Sequence, residues 1–213
     1  MKINIEILDS AFVYDVKMID ELNTKKLVPK MIQRRRLTRA AKIVIFLADM
    51  IGVSRERIVY GSSFGEIPAT TDILKSIKNK QSISPTSFQN SVYNTAVSYL
   101  SILTSNQSEI MTISSGDNTS GQILKLGAIK ALDGDTIVLL GTETFDIPNV
   151  EEINSCKDFL ECGVALKIKV TNSTPTLKIE GKELKNIPNS MQTMLKIAKK
   201  YDKQKRNIIE VEV

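Results

Sequence analysis

Apolar and polar residues alternate from Lys2 to Val13. Ile3, Ile5 and Ile7 point one way and Asn4 and Glu6 the other, a period of two that predicts a strand. Met18 to Pro29 is polar and ends in a proline, which predicts a loop or a short helix. In the next stretch, KMIQRRRLTRAAKIVIFLADMIG, the period lengthens. Leu37, Ala40, Ala41, Val44, Ile45, Ala48 and Ile51 share one helical face, and Gly52 is a natural stop. Arg55 to Ser63 predicts a short buried strand. Ile67 to Lys80 predicts a polar helix, with Pro68 tolerated in its first turn. After the break at Ile83-Ser84-Pro85, a second strong helix is predicted from about Ser87 to Thr104. Tyr93, Ala96, Val97, Leu100 and Leu103 lie on one of its faces.

From Glu109 to Gly141 the pattern reads strand, tight turn, helix, strand. The turn is Ser114-Ser115-Gly116-Asp117, and Asp117, Asn118 or Thr119 would cap the helix from Thr119 to Leu132. Gly121, Gly127, Ala128 and Ala131 suit that helix to close central packing. Thr136 to Thr142 predicts a buried strand, and a polar segment runs from Phe145 to about Asp158. Gly163 to Val170 and Pro175 to Glu180 predict two strands joined by a hairpin-like turn. A last helix carries Met191, Met194, Leu195, Ala198 and Tyr201, and Ile208 to Val213 predicts an edge strand. The alternation predicts an α/β fold, with a mixed, mainly parallel sheet covered by helices on both faces. With no repeat and no long linker, residues 1–213 are expected to form a single domain.

Composition narrows the functions open to such a fold. Of 213 residues, 42% are hydrophobic and 25% charged, as in an ordinary globular protein. No run of about 18 apolar residues suggests a membrane span. The alternating, acid-bearing start lacks the pattern of a signal peptide, so a cytoplasmic protein without a membrane partner is expected. The net charge of +5 permits acidic partners. Lys25, Lys26, Lys30, Arg34, Arg35, Arg36, Arg39 and Lys42 form the basic cluster that would meet one. A basic module for anions or nucleic acid is an alternative, although 5% aromatics and no Trp speak against stacking on bases.

The chain contains no histidine and two cysteines, Cys156 and Cys162. Ser-His-Asp and Cys-His chemistry within the chain are therefore excluded. The thiols read as reduced structural residues, and neither a metal nor a cofactor is expected. A helix N-terminus favours developing negative charge, so Ser114 or Ser115 remains a formal nucleophile for a serine–lysine arrangement.

Several of these segments together resemble the β-ketoacyl-ACP synthases. Ser84-Pro85-Thr86-Ser87-Phe88, continuing through Val92-Tyr93-Asn94 to Leu100-Ser101-Ile102, is similar to the stretch leading into that family's interface helix. Glu109 to Gly141 resembles its strand, nucleophile turn, central helix and following strand. MIQRRRLTRAA and YGSSFGE resemble upstream segments in the right order. The nearest resemblance is to short, chain-length-factor-like proteins found beside fatty-acid and aryl-polyene biosynthesis enzymes. It is good from about Pro29 to Thr144, reaches Gly163-Val164-Ala165-Leu166, and is weak beyond Lys167.

The resemblance implies a thiolase-like half fold, with the family's catalytic cysteine replaced by Ser115. It implies a subunit without ketosynthase chemistry, pairing with a catalytic ketosynthase as a heterodimer, with acyl carrier protein as a further partner for Arg34, Arg35 and Arg36. Val92, Tyr93, Asn94 and Ala96 would lie at the interface and close the partner's acyl pocket. If the chain stands alone, a homodimer is expected. The enzymatic alternative is an acyltransferase or thioesterase using Ser115.

Overall fold

In the computed structural model, which describes residues 1–146, 158–179 and 181–213, one six-stranded sheet forms the middle layer. The strands are β1 (Lys2–Asp15), β2 (Arg57–Gly61), β3 (Ile110–Ile113), β4 (Ile137–Asp146), β5 (Phe159–Val170) and β6 (Asn207–Glu212). The helices are α1 (Thr24–Leu27), α2 (Met31–Arg36), α3 (Arg39–Met50), α4 (Ile67–Lys78), α5 (Pro85–Asn90), α6 (Thr95–Thr104), α7 (Thr119–Lys130) and α8 (Asn189–Lys200). The sheet order is β3-β2-β4-β5-β1-β6. The α/β class, the mixed sheet and the helices on both faces are as expected. The mainly parallel arrangement is not: β2 runs parallel to β3 and β4, but β4–β5, β5–β1 and β1–β6 are antiparallel. A period of two marks a strand but carries no direction, so the alternation of elements could not reveal this.

One face of the sheet packs under α7 and α8. Ile123, Leu124 and Ala128 of α7 and Met191, Met194 and Leu195 of α8 meet Ile3, Ile5, Leu139, Val164 and Leu166. Gly127 brings α7 close to β4, because a Cβ there would run into Leu139. The other face packs under α3 and α6, where Ala41, Val44, Leu47, Val97 and Leu100 meet Ile58, Tyr60, Leu140 and Ala165. β1 serves both cores. A bulge between Ile7 and Asp9 shifts its pairing with β5, so Ile3, Ile5 and Ile7 face one layer and Ala11 the other.

Two predicted elements are corrected. The single helix from Ser87 to Thr104 is two, α5 and α6, separated at residues 91–94. Short polar side chains there take the carbonyls that a continuous helix would use: Ser91 Oγ donates to Phe88 O (2.9 Å) and Thr95 Oγ1 to Asn90 O (3.2 Å). Pro175 to Glu180 does not form the second arm of a hairpin. Glu180 lies outside the described residues, and 175–179 has no regular structure. Thr176 and Leu177 both donate their amides to Ile208 O, and Pro175 has no amide to extend a ladder. Most of the polar segment after Phe145, with Cys156, lies outside the described residues, whereas Cys162 is a buried thiol on β5. No described helix is long and apolar enough to cross a membrane.

Candidate functional site

The Ser115 turn ends the edge strand β3. Gly116 has φ +52°, a left-handed conformation that glycine adopts without strain, and a short 3₁₀ turn over Gly116–Asn118 leads into α7. The residue that closes this turn is Thr119. Its buried hydroxyl accepts from Ser115 N (3.1 Å) and donates to Gly116 O (2.7 Å). Asp117 accepts instead from Asn189 Nδ2 (3.2 Å), tying the turn to α8. Ser114 and Ser115 are exposed, and among the described residues neither hydroxyl has a hydrogen-bond partner. An activated serine needs a base within hydrogen-bond reach, and none is bonded to Ser115 here.

Residues 91–94 project from the α5–α6 junction. Val92 is 46% and Tyr93 44% exposed, although Tyr93 donates its hydroxyl to Ser63 O (3.3 Å) and lies against Gly65. Asn94 is exposed beside them. Ala96 is not: it is fully buried in the chain's own core between α3 and α6, so it has no free surface for another subunit. Further apolar side chains are exposed on α4, α5 and α6 and between α4 and α5: Leu74, Ile77, Ile83, Phe88 and Ile102, the last sharing a hollow with Val92. Neither α4 nor α5 has a single buried residue. A helix of this length is marginal without a packed face, so this side of the molecule lacks the cover that the other helices have.

The three consecutive arginines separate in the structure. Arg34 is turned inward, donating to the carbonyls of Val28 and Pro29, and so holds the chain before α2. Arg35 and Arg36 are exposed. Arg39 is occupied by Glu161, which it grips through Nε (2.5 Å) and Nη2 (2.6 Å).

Two buried glutamates lie at this end of the sheet, Glu143 on β4 past its pairing with β2 and Glu66 in the segment after β2, and neither was singled out from the sequence. Glu143 accepts from Ser62 Oγ (2.9 Å), Ser63 N (2.6 Å), Phe64 N (3.2 Å) and Ser190 Oγ (2.9 Å). Burial pushes its carboxyl above the usual carboxylate range, against the pull of those four donors. Glu66 is 5% exposed and accepts at Oε1 from Thr38 Oγ1 (2.7 Å). Burial lifts it to about 7, with Thr38 working the other way. A signal for Glu143 was present, since it is the one acid inside the apolar run from Ile137 to Phe145. Glu66 had no such flag, because it follows a polar turn.

Comparison with known proteins places this geometry in context. The family model for the beta-ketoacyl synthase, N-terminal domain, matches residues 15–211, well past the point where the resemblance by eye fades. No curated protein sequence matches the chain. Among solved structures, the chain is similar to a ketosynthase in complex with its chain length factor from Xenorhabdus doucetiae. That match has a TM-score of 0.64 and 20% identity, and covers 78% of this chain and 79% of that one. It is also similar to the ishigamide ketosynthase/chain length factor, with TM-score 0.59 and 12% identity over 73% of this chain and 50% of that one. A third similar structure is a type II polyketide acyl-carrier protein in complex with its ketosynthase bound to the hexaketide. There the TM-score is 0.59 and the identity 15%, over 79% of this chain and 62% of that one. The chain thus spans between half and four-fifths of the length of these neighbours.

Proposed function

The chain belongs to the beta-ketoacyl synthase N-terminal domain family, and from that membership we propose that it is a chain-length-factor-like subunit that performs no condensation itself and pairs with a catalytic ketosynthase. The observation that carries this reading is the uncovered apolar face at α4, α5 and the α5–α6 junction. Its occupant is a ketosynthase subunit, in keeping with the two-subunit complexes among the similar structures. Val92 and Tyr93 stand where that face protrudes and would meet the far end of the partner's acyl pocket. Their bulk would limit the number of carbons that fit, and Asn94 beside them would supply a polar contact at the rim. Arg35 and Arg36 remain exposed for an acidic carrier protein, the third component of the reading. Ser115 takes no catalytic part, because a serine hydroxyl with no base bonded to it is hardly ionised near neutral pH.

The test is co-expression with a catalytic ketosynthase of the same organism, followed by purification and native mass spectrometry. A stable one-to-one complex is expected, and its products should lengthen or broaden when Val92 and Tyr93 are both changed to Ala. Absence of a complex, or an acyl adduct that forms on the isolated chain and is lost in Ser115→Ala, would overturn the reading.

A further inference from the structure

A cavity of about 400 Å³ opens between the first turns of α3 and α4 and one side of α5. It lies past Gly61 and Gly141, where the parallel pairing of β2 with β4 ends, the end at which open α/β sheets hold ligands. Two charged groups on its wall are under-used by the fold. Buried carboxyls are normally met by several donors, as Glu143 is. Glu66 has the Thr38 hydroxyl as its only side-chain hydrogen-bond partner among the described residues. Lys42 is half-buried and its ammonium has neither a hydrogen bond nor an ion pair among those residues, its neighbour Arg39 being taken by Glu161. The α5 wall adds Thr86, Ser87 and Asn90. Asn90 accepts from Tyr99 at its Oδ1 (3.1 Å), which leaves its amide NH2 to donate.

We infer that this cavity binds a small oxyanion, a carboxylate or a phosphate-type group, through Lys42 and the donors of α5, with the Glu66 carboxyl protonated in the complex. An ionised Glu66 would repel such a ligand, whereas a protonated one can donate its own O–H, so binding takes up a proton. The titratable groups around Glu66 are Arg39 and Lys42 on α3, Asp72 on α4, Tyr60 on β2, Tyr99 on α6, Glu143 on β4 and Glu161 on β5. Glu161 is neutralised by Arg39, and the two tyrosines are uncharged near neutral pH. Asp72, exposed on α4, is the group at the cavity wall that opposes an anion. Lys42 is itself lowered by burial and by Arg39, and an arriving anion would relieve that. Since burial has brought Glu66 to about 7, the proton uptake falls between pH 6 and pH 8.

The site does not rest on the partner-subunit reading, and each stands if the other fails. Sodium acetate and sodium sulfate, titrated separately into the intact chain at pH 6 and pH 8 and followed by NMR, provide the test. Both probes keep their charge across that range, so a pH dependence belongs to the protein. Saturable binding about tenfold tighter at pH 6 than at pH 8 is expected, with preference between the probes identifying the ligand as planar or tetrahedral. Lys42→Gln should weaken binding by about tenfold or more, Asp72→Asn should tighten it, and Glu66→Gln should bind with no pH dependence. The inference is overturned if neither probe binds saturably, if Lys42→Gln binds as well as the parent, or if the pH dependence survives in Glu66→Gln.

Discussion

Glu143 and Glu66 lie at the same end of the sheet, and both are buried, but they belong to differently finished regions. Around Glu143, β4, the loop after β2 and α8 converge, and four donors are committed to the carboxyl. Around Glu66, α4 and α5 have no fully buried residue, a cavity remains, and Leu74, Ile77 and Phe88 are exposed. The first region is closed by the chain's own residues. The second has packing and hydrogen-bonding capacity left over, which is the property of a surface built to receive something. The difference teaches that burial alone does not identify a functional acid. The number of donors that the fold itself supplies is what separates a structural carboxylate from an available one.

That contrast can be broken most severely at Glu143. Glu143→Ala leaves two hydroxyls and two amides without their acceptor, and should cost roughly 3–5 kcal/mol in urea unfolding. A loss below about 1 kcal/mol would mean that the region is not closed by this carboxylate. Glu66 should show itself through pH. Its folded value of about 7 lies above the ordinary 4.5, so the protonated form is the one that the fold favours. Its contribution is complete below about pH 4.5 and is lost as pH rises through 7, about 3 kcal/mol in total. Unfolding free energy measured from pH 5 to pH 8 should therefore fall, and Glu66→Gln should make that slope shallower, with the raised Glu143 carboxyl contributing to what remains.

On the open side, function should respond where stability does not. Leu74→Asp combined with Phe88→Asp should abolish the complex with the ketosynthase while changing the stability of the isolated chain by less than about 0.5 kcal/mol, since both side chains are already exposed. Unchanged complex formation would remove α4 and α5 from the interface. The smallest effect belongs to Ser115→Ala. Stability should stay within about 0.5 kcal/mol, and the product output of the complex should be unaltered, because the hydroxyl has no partner among the described residues.

Much of the framework was legible beforehand because its signals are local. Ile3, Ile5 and Ile7 mark β1 by alternation, the Leu37–Ile51 spacing marks α3, and Gly127 with Ala128 marks the close packing of α7. The family resemblance was likewise carried by contiguous segments, and the match over residues 15–211 bears it out. The Ser115 turn was found in the right place. Its closing side chain, Thr119, was one of three equal choices until the hydrogen bonds were seen. The α5–α6 break was missed because helical spacing continues across it, and only the competition of Ser91 and Thr95 for backbone carbonyls reveals the interruption. The resemblance placed Ala96 at an interface, but a contiguous motif does not say which of its side chains the chain's own core covers.

By itself, the sequence determined the identity and order of most elements, the family, and the absence of histidine chemistry. Those follow from side-chain period, contiguous motif and composition, all of which act between near neighbours in the chain. Tertiary structure alone decided that β4 and β5 run antiparallel, that among the described residues Glu143 collects four donors while Glu66 has one, and that α4 and α5 carry no buried residue. Each of these depends on residues far apart in the chain, such as Glu143 with Ser62 and Ser190, meeting in space. No local pattern encodes such a meeting, because the same side chain is paired or free according to what the rest of the fold brings beside it.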